Sequence, residues 1–250
     1  MSMNKTKIEW CDYTWSPVTG CKHGCPYCYA RKIAERFKGS KAWPQGFEPM
    51  FHEERLNDPR KLGTKYYCPY YMAAKGTSIF VCSMADLFGE WVPQEWIHRV
   101  FLSCHQTPRH TYIFLTKNPA RIESLSVHSC FEEFMNSKNA WFGTSITGEE
   151  DSVDRLGHLI ASDLPNRFIS FEPLLKYPFD GDQYCGDLTG IKQVIIGAQT
   201  NPDIRPEYDA VLNICEAADR VSAKVFMKDS LAKWFPDREL RRELCWSVRK

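Results

Sequence analysis

Three cysteines stand within eight residues, Cys21-Lys22-His23-Gly24-Cys25-Pro26-Tyr27-Cys28, on a stretch whose Gly and Pro read as a loop. Thiolate is the ligand that iron-sulfur clusters and zinc prefer, and thiols this close on one loop can converge on one soft metal centre. Their number matters. A structural zinc or a fully protein-ligated cluster takes four ligands, whereas three leave one metal position open to a substrate or cofactor. The residue types leave three readings open: a cluster held by Cys21, Cys25 and Cys28, a zinc site completed by His23 or Cys11, and free thiols.

Further polar groups follow short apolar runs. SIFVC (78–82) leads to Ser83, Met84 and Asp86, TYIFLT (111–116) ends at Thr116 and Lys117, and AWFGTSI (140–146) contains Thr144 and Ser145. RFISF (167–171) is followed by Glu172, QVIIGA (193–198) by Gln199, and KVFMK (224–228) ends at Lys228 before Asp229. A Ser or Asp in such a position is often only a helix cap. Together they supply hydroxyls for a ribose, an acid for an ammonium and a base for a carboxylate, which suits a zwitterionic nucleoside-bearing cofactor.

The elements that must position these groups are legible in the periodicity. KIEWCDYTWSPVTG (7–20) reads as a first strand feeding the cysteine loop, with Trp10 and Trp15 as core. Tyr29 to Lys38 reads as an amphipathic helix whose Ala30, Ile33, Ala34 and Phe37 share a face, stopped by Gly39. Helices are expected from Pro93 (Trp96, Ile97, Val100, Phe101 and Cys104 in one stripe), from about Pro119 to Leu125, around Val153 to Ile160, and over 207–220. Strands that are apolar throughout and alternate with helices imply a parallel sheet covered by helices. The expectation is an α/β fold, a partial (β/α)6-7 TIM-type barrel of parallel strands, whose chemistry collects at the strand C-termini. One domain over 1–250 is expected, with an irregular insertion at about 39–77, where His52, Glu53, Glu54 and Arg55 read as a solvated polar face.

The whole chain excludes several classes. Its net charge of +1 argues against a bulk nucleic-acid or membrane-surface binder. Eleven cysteines without an apolar signal core, and without a run of membrane-spanning length, point to a cytoplasmic chain with reduced thiols.

The cysteine loop with its Tyr27 resembles the cluster loop of the radical S-adenosylmethionine (SAM) enzymes. The blocks KIEW, TWSPVTGC, SMADLF, FLTKNPARI, GTSI, FISFEPLL and VIIGAQTNP resemble a phage- and bacterium-encoded radical-SAM-like family of unknown biochemical function, the three-Cys-motif phage proteins. Several blocks are also similar to spore photoproduct lyase, a radical SAM enzyme that repairs a thymine lesion in DNA. The resemblance implies a 4Fe-4S cluster on Cys21, Cys25 and Cys28 whose fourth iron takes SAM, with Ser83, Lys117 and Ser145 contacting SAM. Tyr27, Asp86 and Glu172 join the site by position. It also implies Cys82 as a hydrogen donor, a reductant such as flavodoxin or ferredoxin, and a nucleotide or nucleic acid as one class of substrate. The spacing of the strand-end loop departs from the lyase and its substrate region is not recognisable, so its substrate does not transfer. The alternative is a non-catalytic iron-sulfur or zinc-binding protein of phage-host interaction on the same barrel.

Overall fold

The computed structural model describes residues 3–62, 76–148, 152–179 and 187–248. Part of the expected insertion, residues 63–75 with Cys68, lies outside them.

The architecture is mixed α/β, built on one large, mostly parallel eight-stranded sheet. Its strands are β1 (Met3–Lys5), β2 (Tyr13–Trp15), β3 (Ser78–Val81), β4 (Thr111–Thr116), β5 (Ala140–Ser145), β6 (Arg167–Phe171), β7 (Ile191–Ile196) and β8 (Lys224–Met227). In the sheet they stand in the order they occupy along the chain. β1 runs antiparallel to β2, while β2–β3, β3–β4, β5–β6, β6–β7 and β7–β8 are parallel ladders. The helices are α1 (Tyr29–Arg36), α2 (Asp58–Lys61), α3 (Gln94–His105), α4 (Pro119–Ser126), α5 (Ser129–Met135), α6 (Ser152–Ala161) and α7 (Tyr208–Arg220). Every strand from β3 onward is where an apolar run predicts it. β1 and α5 are additions that the pattern does not announce.

The chain divides into two compact units, Met1–Phe114 with His128–Trp141 and Trp246–Lys250, and Leu115–Val127 with Phe142–Cys245. The first has an aromatic core in which Phe101 meets Phe114, Phe131 and Phe134. In the second, Ile169, Phe171, Val194, Ile196, Val225 and Met227 pack with the buried side of α7, Ala210, Val211, Ile214, Ala217 and Ala218. Because neighbours on a strand face opposite sides, Phe168, Ser170 and the following Glu172 belong to the other face of that sheet.

Two sequence expectations are corrected. α1 buries only Ala30 and Ala34, against Phe47, and leaves Ile33 and Phe37 exposed. Its two small side chains let the backbone approach its neighbours, so the larger residues stay on the outer face. The 52–55 segment is not a solvated face throughout: His52 is buried and bonded to Thr19 (2.8 Å), and the Arg55 guanidinium donates to the Ser16 carbonyl (2.9 Å). Glu53 and Glu54 are the exposed pair.

Candidate metal centre

In the first unit the cysteine loop leaves the strand segment Val18–Thr19 through Gly20 and ends on α1. Gly20 has φ +84°, and a Cβ there would meet the Glu48 carbonyl oxygen at 2.2 Å, so no larger residue fits where the loop begins. Its N–H donates to the Met84 carbonyl (3.0 Å), and the Cys21 N–H to the Phe47 carbonyl (3.2 Å). At the other end Cys28 is the N-cap of α1: its sulfur accepts from the Arg31 N–H at 3.4 Å.

Cys21, Cys25, Cys28 and Tyr27 are all half-buried. The Cys21 thiol is pushed up to about 12, first by burial, while the backbone N–H of His23 on its sulfur pulls the other way. Asp86, Cys25 and Cys28 add charge repulsion. A cation bound at Cys21 would offset that repulsion by holding its sulfur as thiolate. Among the described residues, no group of three or more His, Cys, Asp and Glu side chains is gathered closely enough to hold a metal ion. The loop thus carries donors of the type and number that a three-cysteine cluster needs, without drawing them to one point. Of the two expected fourth ligands of a zinc site, Cys11 is buried and the His23 Nε2 lies 2.7 Å from Asp86 Oδ2.

The turn after β3 lies against this loop. β3 ends at Val81, and Cys82 adopts φ +57° with its N–H donating to the Trp15 carbonyl (2.7 Å). Strand alternation therefore does not govern which of Cys82 and Ser83 faces outward. Cys82 is 3 % exposed and burial pushes its thiol up to about 12, with the Val18 N–H opposing. Ser83 is half-buried, and its carbonyl accepts from the Tyr29 hydroxyl (2.9 Å). Asp86 is 5 % exposed, its Oδ2 lying 2.7 Å from His23 Nε2 and its Oδ1 accepting from the Phe88 N–H at 3.0 Å. Ser83 and Asp86 thus come to the cysteine loop as expected residues, and His23 enters as a partner.

In the second unit the strand ends carry the other candidates. Lys117 is half-buried beyond β4, and Ser145 is buried at the end of β5 with its carbonyl accepting from Arg155 (3.3 Å). Glu172 is ion-paired with Lys228, both partly shielded from solvent. Behind Glu172 on the same face, the hydroxyl of buried Ser170 has no hydrogen-bond partner among the described residues, and neither has that of Thr147. Ser170 is hidden from sequence reading inside the apolar run RFISF; its only signal is that it shares a strand face with Glu172. Other strand-end candidates have structural roles. Thr144 donates to the Thr116 carbonyl (3.0 Å), Gln199 donates to the Pro202 carbonyl (3.0 Å), and Asp229 pairs with Arg242.

The family model of a protein of unknown function, DUF5131, matches residues 5–243. A search of curated proteins found no match. Among solved structures, a cysteine-to-serine mutant of spore photoproduct lyase is similar with a TM-score of 0.52 at 12 % identity, covering 95 % of this chain and 74 % of the lyase. A double mutant of that lyase with bound AdoMet and dinucleoside spore photoproduct gives a TM-score of 0.51 at 12 % identity, covering 87 % of this chain. In that comparison the chain spans only 64 % of the lyase. At this identity the likeness is one of fold.

Proposed function

The chain belongs to the DUF5131 family of proteins of unknown function, and on that premise we propose that it is a radical SAM enzyme on an open (β/α) barrel of one domain. The observation that carries this reading is the three-thiol loop that leads into α1, in which each cysteine is half-buried and Cys28 is the helix N-cap. Cys21, Cys25 and Cys28 would hold a 4Fe-4S cluster. When bound, the cluster and SAM supply a one-electron cleavage that yields methionine and a 5′-deoxyadenosyl radical, the chemistry being the cofactor's own.

The chain's own residues would bind and orient. Tyr27 would lie beside the cluster as part of the loop, and Ser83, Asp86, Lys117, Ser145 and Glu172 would serve SAM from the strand ends, Lys117 as the base for a carboxylate and the serines as hydrogen-bonding groups. Support for their roles is their position after successive strands and the block similarity to the lyase. Cys82 is the candidate hydrogen donor; its burial means that it acts only if the β3 turn opens toward a substrate. A cytoplasmic setting, a reductant such as flavodoxin or ferredoxin and a nucleotide or nucleic acid as substrate complete the proposal. Among the described residues no helix is long and apolar enough to cross a membrane.

Anaerobic reconstitution with iron and sulfide tests the reading. The expected product is brown and holds about four irons per chain, as a thiolate-ligated cubane does. Cys21→Ala, Cys25→Ala and Cys28→Ala should each abolish it, while Cys130→Ala and Cys215→Ala leave it intact. Colourless protein with stoichiometric zinc, or iron loading indifferent to the three substitutions, would overturn it.

A further inference from the structure

We infer that His23 and Asp86 form a latch that sets the cysteine loop in place before a metal arrives, which makes both of them positioning residues. The inference rests on the reading of Cys21, Cys25 and Cys28 as metal ligands and adds to it a device that no ligand count reveals.

The side chain of His23 is gripped on two sides by a segment 63 residues away. Its Nε2 lies 2.7 Å from Asp86 Oδ2, and its ring stands edge-on to Trp91 with centroids 4.9 Å apart. The grip is itself held rigid. The other oxygen of Asp86 accepts from the Phe88 N–H (3.0 Å), closing the turn around the carboxylate. Trp91 folds back over Gly89, where a Cβ would meet its ring at 2.3 Å, so the turn needs glycine to bring the indole against His23. Asp86 thereby spends both oxygens within the protein. A buried carboxylate engaged in this way orients the loop.

The latch reaches the ligands through the chain itself: His23 stands two residues after Cys21 and two before Cys25, so holding its side chain holds the segment that joins them. Lys22 and Gly24 on either side are exposed, and Gly24 has open space around it. Between Cys21 and Cys25, Lys22 makes a solvent-exposed ion pair with Glu48 (3.6 Å), while His23 makes the contact with a buried side chain, Asp86. Loss of an outer-shell partner that orients a ligand typically weakens metal affinity about 10–100-fold.

The test uses the full-length, metal-free protein under anaerobic conditions, titrated with cobalt(II) and followed by thiolate-to-cobalt charge-transfer absorption. His23→Phe keeps the ring edge against Trp91 but loses the hydrogen bond, and should weaken binding about 10-fold or more. His23→Gln retains a donor and should recover much of the loss. Asp86→Ala should match His23→Phe, and the double variant should be no worse than either, as partners in one contact behave. In parallel, the alkylation rate of Cys21 in metal-free protein, read by peptide mass spectrometry, should rise in His23→Phe and stay near the parent's in His23→Gln. Equal cobalt affinity and equal alkylation rates across parent and variants would overturn the latch. If the parent shows no thiolate band, the reading of the three cysteines as ligands fails, while the alkylation rates still decide the latch. Should Asp86→Ala not fold by circular dichroism, the comparison of the two His23 variants carries the test.

Discussion

His52 shows how one buried side chain can make the protein's stability depend on pH. Its ring is buried, its Nε2 lies 2.8 Å from the Thr19 hydroxyl, and its backbone N–H donates to the Pro17 carbonyl (2.8 Å). Burial lowers its affinity for a proton, Arg55 lowers it further, and Glu54 opposes both. The folded ring therefore holds its proton less well than the unfolded one, whose value is about 6.5. The neutral ring's contribution is complete above that value and is lost as pH falls through it toward the lower folded value. The parent should lose more of its melting temperature between pH 7.5 and 5.5 than His52→Gln does, measured by thermal denaturation in matched buffers. An equal loss would assign the pH dependence to other groups. The charged run HEER gave no sign of this. A histidine beside three charged neighbours reads as surface, and only the distant Thr19 explains its burial. The three cysteines, by contrast, were legible from spacing alone, because ligand chemistry depends on local sequence. The Asp86 contact with His23 was not, because it joins segments that no periodicity relates.

At the scale of elements, Gly143 illustrates how closely the second unit's strands and side chains fit. It lies within β5, and a Cβ there would meet the Phe168 ring of β6 at 2.5 Å. Phe168 is fully buried and cannot swing away without displacing its own neighbours. Gly143→Ala should therefore destabilise the protein by roughly 1–3 kcal/mol, the usual cost of overpacking. Urea denaturation would show it as a lower midpoint at unchanged slope. Strands β3 to β8 were readable because a buried parallel strand is apolar on both faces and so appears as an unbroken run. β1 was not: its three residues, Met-Asn-Lys, carry no run, and pairing with β2 alone makes them a strand. α5 is only seven residues long, too short for a period to establish itself, although Phe131, Phe134 and Met135 are its buried residues. The outward turn of Ile33 and Phe37 on α1 has a related cause. Periodicity gives the stripe, but side-chain size at Ala30 and Ala34 decides which edge of it packs.

Over the molecule as a whole, the two units interleave along the chain, the first being assembled from three separate stretches. The last of these is anchored by Trp246. Its indole N–H donates to the Trp10 carbonyl (2.7 Å), and its ring meets Trp141 at 4.8 Å in a T-shaped contact. Trp10 in turn packs on Phe80 of β3. Trp246→Ala should cost about 3–5 kcal/mol, the range for deleting a buried large aromatic. Trp246→Phe should recover part of it, since the ring contact survives and the hydrogen bond does not. Equilibrium denaturation of the two variants separates these contributions, and a loss below 1 kcal/mol for the alanine would show the contact to be incidental.

The Trp10 and Trp246 contact also places a clock on biosynthesis. The two residues are 236 apart in sequence, and at roughly 5–20 residues per second a ribosome needs on the order of tens of seconds to pass from one to the other. Throughout that interval Trp10 exists without the Trp246 indole against it. The nascent chain must keep the apolar surface around Trp10 out of the reach of other chains until Trp246 emerges, so this part of the first unit is made early and completed late.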